Sequence, residues 1–274
     1  MERGAAAQGK VARAIEGAES IEIKATISDH QIDGALARFG LTARNDEERY
    51  IYFFDTPELA LLGAGIIARA RRTVGDEHDS TVKFRPVDPA EVGGEWRKFH
   101  NFKIEADASE TSLVKSASFS MKVAPGLIKR VAVGKKPIAA AFTQDQEDFI
   151  VAMTGRRIDF SKLAVLGPLM AQRWRFEDPA CPWPISAELW QREDGERLLE
   201  VSIKAPAAQA AAAVGGFMAY LAEMGAERDK SEQTKTRWAL DHYVAKLSDK
   251  PARAVIAPKA ATRKSQRRQR PPSP

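Results

Sequence analysis

Ser20-Ile21-Glu22-Ile23-Lys24-Ala25-Thr26-Ile27 places apolar and polar residues at alternate positions. Successive side chains of a strand point to opposite faces, so Ile21, Ile23 and Ile27 share one face and Glu22, Lys24 and Thr26 the other. The pattern predicts a strand with two unlike faces, and it recurs along the chain. Ile67–Arg71, Thr81–Arg85, Phe102–Ala106, Arg173–Phe176, Ala187–Trp190, Leu198–Lys204 and Lys235–Trp238 read the same way. Tyr50–Phe54 is a further short strand that alternates less.

The polar faces of these strands are unusual. A one-sided antiparallel sheet shows water a mixture of Thr, Ser, Lys, Glu and Gln; here the positions are almost all full charges. The candidates on these faces are Lys24, Arg69, Arg71, Lys83, Arg85, Lys103, Arg173, Arg175, Lys204, Lys235 and Arg237, against Glu22, Glu105, Glu188 and Glu200. Unpaired charge in an apolar interior is prohibitively costly, so these faces must line something wet. A positive surplus matches a polyanion, since one charge pair at about 4 Å contributes roughly 4 kcal/mol at an effective dielectric near 20. Arg-x-Arg pairs suit phosphate oxygens because each guanidinium offers a two-pronged donor. Glutamates among the cations suit a site that holds phosphate through a divalent ion. The bland alternative is a set of solvent-facing salt-bridge ladders.

Charge is also sorted along the chain. The net charge is +5 over 274 residues. From Lys246 to Pro274 nine basic residues face one acid, whereas residues 1–245 hold 33 basic against 36 acidic, or −3. The basic excess belongs to the tail, and the body is not a globally basic nucleic-acid-binding fold. The tail, 246–274, reads as disordered, with weak attraction to nucleic acid or an anionic surface as its functional reading. Hydrophobic residues at 44%, charged residues at 29% and a lone Cys181 exclude a collagen, a disordered chain and a disulfide scaffold. No apolar run is long enough to span a bilayer and residues 1–18 read as a flexible start without a signal peptide, so the expected location is cytoplasmic. His30, His78, His100 and His242 show no metal spacing, and neither P-loop nor Rossmann fingerprint occurs.

Helices separate some strands. Asp29 opens one through Ile32, Leu36 and Phe39 that Gly40 ends; Asp55-Thr56-Pro57 opens a short turn at Glu58–Leu62; Pro206 starts an alanine-rich helix stopped by Gly225; a last one covers Ala239–Leu247. Residues 109–168 read as a helical insertion outside the sheet, with Leu113–Val123 and Phe142–Met153 the better segments.

Ser20–Lys24 resembles the first-strand Glu-x-Glu-x-Lys signature of the CYTH superfamily, the triphosphate tunnel metalloenzymes. Tyr52-Phe53-Phe54-Asp55-Thr56-Pro57, running into Arg69-Ala70-Arg71, is similar to the family's tyrosine-Asp-Thr-Pro block and Arg-x-Arg strand. Thr81–Arg85, Arg173/Arg175, Leu199–Ile203 and Lys235–Trp238 follow in the family's order, so the resemblance covers about 19–240. It implies an α+β domain over 19–245, mainly antiparallel β: an eight-stranded tunnel-like barrel with a charged interior and helices packed outside. It further implies that Arg69, Arg71, Lys83, Arg85, Arg173, Arg175, Lys235 and Arg237 bind phosphate. Glu22, Glu200, Glu188 and Glu105 would hold Mg²⁺ or Mn²⁺, and Lys24 and Glu22 would serve catalysis. The implied activity is metal-dependent hydrolysis of inorganic triphosphate, a nucleoside triphosphate or thiamine triphosphate. A class of bacterial adenylate cyclases belongs to the same superfamily. The sequence departs from the pattern at Ser20, Lys103, Ser202 and Lys204, where acids are common. Such losses weaken a metal site, and the alternative is a polyphosphate- or nucleotide-binding module without turnover.

Overall fold

A computed structural model describes residues 15–108, 113–229 and 233–249. The expectations for residues 1–14 and for the tail from 250 onward lie outside the described residues. In chain order the elements are β1 (Ser20–Ile27), α1 (Ile32–Arg38), β2 (Glu47–Asp55), α2 (Ala60–Gly63) and β3 (Ile66–Thr73). Next come β4 (His78–Phe84), β5 (Phe102–Ala108), β6 (Leu113–Val123), α3 (Leu127–Ala132) and α4 (Gln144–Thr154). The chain continues through β7 (Ala164–Asp178), β8 (Cys181–Gln191), β9 (Arg197–Pro206), α5 (Ala210–Glu223) and α6 (Lys235–Asp249).

The strands close into a barrel in the order β1-β5-β6-β4-β3-β2-β7-β8-β9. Every neighbouring pair is antiparallel except β1 and β5, which run parallel. Nine strands therefore replace the eight expected. Leu113–Val123, expected to be helical and outside the sheet, is β6, paired with both β4 and β5. Its Ala117, Phe119 and Val123 are buried on the outer face, while Ser116, Ser118 and Ser120 share the inner face with Glu105, Lys103 and Thr81. A hydroxyl face lacks the charges that mark the other strands. Lys235–Trp238, expected to close the barrel as a strand, is instead the first turn of α6, where Thr234 Oγ1 accepts the Arg237 N–H at 3.3 Å. β9 pairs directly with β1 to complete the wall.

The barrel is apolar outside and charged inside, and helices cover the apolar outer face. Ile21, Ile23 and Ile27 of β1 pack with Phe217, Tyr220 and Leu221 of α5 and with Ile32 of α1. Across the barrel, Ala68, Val82, Phe84, Ile104 and Phe119 pack with Ile128 and Val131 of α3 and Phe149 and Ile150 of α4. Gln146, wholly buried at the start of α4, ties that helix to the wall. Its Nε2 donates to the carbonyls of Ser80 and Phe119, each at 3.1 Å, and its Oε1 accepts from Ser80 Oγ at 3.0 Å and from Thr143 N at 3.1 Å. Asp55 does similar work at α2, accepting the N–H groups of Thr56, Leu61 and Leu62 at 2.7–2.9 Å.

One stretch of the inner face is apolar. Ile51, Phe53, Leu169, Ala171 and Trp190 stand in register with one another or with Arg71, Arg69 and Arg49, and they pack with Ala239, Leu240 and Tyr243 of α6. This helix is thereby seated against the barrel interior, with its first residue beside the charged face. Among the described residues no helix is long and apolar enough to cross a membrane.

Candidate functional site

The alternation of β1 shows the character of the interior. Ile21, Ile23 and Ile27 are 0–2% exposed, whereas the side chains of Glu22 and Lys24 between them keep 30% and 20%. Lys83, Arg85 and Arg71 keep 21–24% on the facing strands. Charges at this level of access line a wet bore and are neither dry nor splayed into bulk solvent.

The interior has two chemically different walls. β3, β2 and β7 are neighbours in the barrel and present Arg69, Arg71, Arg49, Arg173 and Arg175. β8, β9, β1 and β5 present Glu188, Glu200, Glu22, Glu105 and Asp107, each joined to a cation. Lys24 Nζ lies 3.0 Å from Glu22 and 2.8 Å from Asp107. Asp107 also accepts from Lys83 Nζ at 2.9 Å and has Arg85 Nε at 3.8 Å. Lys204 bonds Glu105, and Lys235 bridges Glu188 at 2.5 Å and Glu200 at 2.7 Å.

Electrostatics follow this arrangement. Burial alone would raise the Asp107 and Glu188 carboxyls, but Lys24, Lys83 and Arg85 hold the first, and Lys235 and Arg49 the second, well below the usual carboxylate range. Burial would lower Lys24, yet Glu22, Asp107 and Glu200 push it well above the ordinary lysine value. Lys83 is lowered by burial and by Lys24, with Asp107 opposing. The arginine wall is under-compensated. Burial and the neighbouring Arg71 bring Arg69 down to about 10, and burial with Arg49 and Arg175 brings Arg173 to about 10. Arg69 Nε is buried without a hydrogen-bond partner, and Arg173 Nε donates only to Ser186 Oγ at 3.1 Å.

Most residues expected in the site are brought together. Glu22, Lys24, Arg69, Arg71, Lys83, Arg85, Arg173, Glu188, Glu200 and Lys235 line the bore; Arg175, Glu105 and Lys204 share its face. Arg237 does not belong. Its helical position turns it to the exterior, where it is 56% exposed and pairs with Asp241 one turn on. Lys235 does reach the site, from a helix and not from the expected strand. Arg49, Glu47, Asp79 and Asp107 join the site beyond the residues expected there. Asp107 continues the Lys103–Glu105 alternation by one more step, and Arg49 precedes Tyr50 in β2, so in both cases the signal lay just past the assigned strand. Arg49, 4% exposed, bonds Glu47 and lies 3.3 Å from Glu188; Asp79 accepts from Arg71 at 2.8 Å.

The expected divalent ion at Glu22, Glu105, Glu188 and Glu200 does not fit this donor set. Each carboxylate already holds an ammonium, and among the described residues no three His, Cys, Asp or Glu side chains converge as metal ligands.

No family model matches the sequence, and no curated protein matches it. Solved structures do. A proposed adenylate cyclase from Bacillus halodurans superposes with a TM-score of 0.55 at 13% identity, over 80% of this chain and 96% of that one. A proposed adenylyl cyclase from Hippeastrum, described as having a dominant triphosphatase activity, gives 0.57 at 13% identity, over 81% and 96%. At this identity the likeness establishes the architecture. The closed barrel with helices packed outside is the architecture shared with these two proteins, in keeping with the fold that the Ser20–Lys24 and Tyr52–Arg72 blocks imply.

Proposed function

We propose that the tunnel binds the phosphate chain of a triphosphate-containing small molecule, such as inorganic triphosphate, a nucleoside triphosphate or thiamine triphosphate. The observation that carries this reading is the arginine wall. Arg69 and Arg173 lie beside further guanidiniums without a carboxylate at bonding distance, a cost an anion would relieve. The lysines differ, being already held by acids. An incoming phosphate oxygen therefore gains most at the guanidiniums and competes with Asp107 and Glu22 for Lys24 and Lys83. The fold shared with the Hippeastrum protein supports a triphosphate over an unrelated anion. Calorimetric titration of inorganic triphosphate at low salt tests the reading; no saturable binding would remove it.

Phosphohydrolysis is the second reading. It is favoured by Glu22, whose carboxyl is lowered by Lys24 against the effect of burial and so stays ionised. Glu22 would accept the proton of a water attacking the terminal phosphorus in line, with Lys24 on the phosphoryl oxygens, releasing orthophosphate and leaving a diphosphate. Phosphate release from a panel of triphosphates, with and without Mn²⁺, separates turnover from binding alone. Pyrophosphate release from a nucleoside triphosphate with an equal amount of the cyclic nucleotide would point to cyclisation instead.

A further inference from the structure

Glu188 and Glu200 are direct partners in the β8–β9 register, so their carboxylates share one patch of the inner face. Two acids so placed repel unless a cation lies between them. That cation is the ammonium of Lys235, at 2.5 Å from one and 2.7 Å from the other. It is not part of the barrel wall. Lys235 is the first residue of α6, and the helix is fixed by Ala239, Leu240 and Tyr243 packing against Trp190. The ammonium also sits 4.9 Å over the Trp190 ring, and the positive end of the helix dipole adds to its charge. A divalent ion on this pair would need the same carboxylate oxygens and the same space.

We propose that Lys235 is a resident counter-ion occupying the place of a divalent metal at the Glu188–Glu200 pair, and that removing its ammonium uncovers a divalent-cation site. The tunnel is then charge-compensated at this point by the protein's own helix. The proposal goes beyond the triphosphate reading and does not depend on it.

The test is Mn²⁺ binding to the full chain, read from the electron paramagnetic resonance signal of free Mn²⁺. The assay runs at pH about 8, far above the ordinary carboxylate range. Wild type is expected to show no saturable site that depends on Glu188 and Glu200. Lys235→Met is expected to gain one site, at least about tenfold tighter than any wild-type binding, and to lose it again when Glu188→Gln and Glu200→Gln are added. Lys235→Gln serves if the Met variant does not keep the far-ultraviolet dichroism of the barrel. Wild-type Mn²⁺ binding abolished by Glu188→Gln/Glu200→Gln would overturn the proposal, as would folded Lys235 variants that gain no site. A purely structural salt bridge would lose stability on substitution without gaining metal. Triphosphate titrated into the same samples reports separately on the functional reading.

Discussion

The Asp107 carboxylate lies 2.8 Å from the Lys24 ammonium, joining residues 83 positions apart across the tunnel's one parallel strand pair. Asp107 is 1% exposed and also carries Lys83 and Arg85, so it is the acid on which three interior cations converge.

Asp107→Asn leaves those cations facing one another, and breaking a buried ion pair from one side costs about 3 kcal/mol or more. The wild-type carboxyl is depressed in the folded state, so its stabilisation is complete above the ordinary Asp value near 4 and is lost as pH falls toward the folded one. Denaturant unfolding should show the variant about 3 kcal/mol less stable at neutral pH, with the gap shrinking below pH about 4. A gap that widens on acidification would contradict the assigned sign.

Arg69→Met separates function from stability. The buried, unpartnered Nε means that the substitution removes a desolvation cost, so unfolding midpoints should stay level or rise. A charged hydrogen bond to phosphate is worth about 1.5–3 kcal/mol, so triphosphate binding should weaken about ten- to a hundredfold. Lower stability with unchanged binding would reverse the role given to Arg69.

Arg237→Ala should leave triphosphate binding unchanged. The side chain points outward in an exposed pair with Asp241, a contact worth about 0.3–0.5 kcal/mol. Weakened binding in this variant would return Arg237 to the tunnel.

Gln146→Ala should destabilise the barrel by about 1–3 kcal/mol, because two buried strand carbonyls and the Ser80 hydroxyl lose their partner. Thermal unfolding of the variant checks this, and a midpoint equal to wild type would show that α4 is held by its aromatic packing alone.

The sequence carries its outward faces plainly. Ile21, Ile23 and Ile27 need an apolar partner whatever surrounds them, and Phe217, Tyr220 and Leu221 supply it. The charged inner face was legible for the same reason, since Lys24, Arg69, Arg71 and Lys83 repeat at period two. Three things were hidden. β6 shows serines inward, so a reading tuned to charge passes over the Ala117–Phe119–Val123 alternation. Lys235–Trp238 is too short to tell a strand from a helix start, and Thr234 as a cap was the better signal. The pairing of each acid with a particular cation depends on which strands become neighbours. Alternation fixes the face a residue lies on but not the partner across the bore, and so the glutamates read as metal ligands when the fold gives them to lysines.

Under the proposed function the arginine wall binds a triphosphate without a metal. Isothermal titration of inorganic triphosphate into wild type and Arg69→Met, at low salt with EDTA, tests it most directly. Saturable one-to-one binding by wild type and a loss of at least about tenfold in the variant are expected. Wild-type binding that appears only when Mn²⁺ is supplied, or binding equal in both proteins, would contradict it.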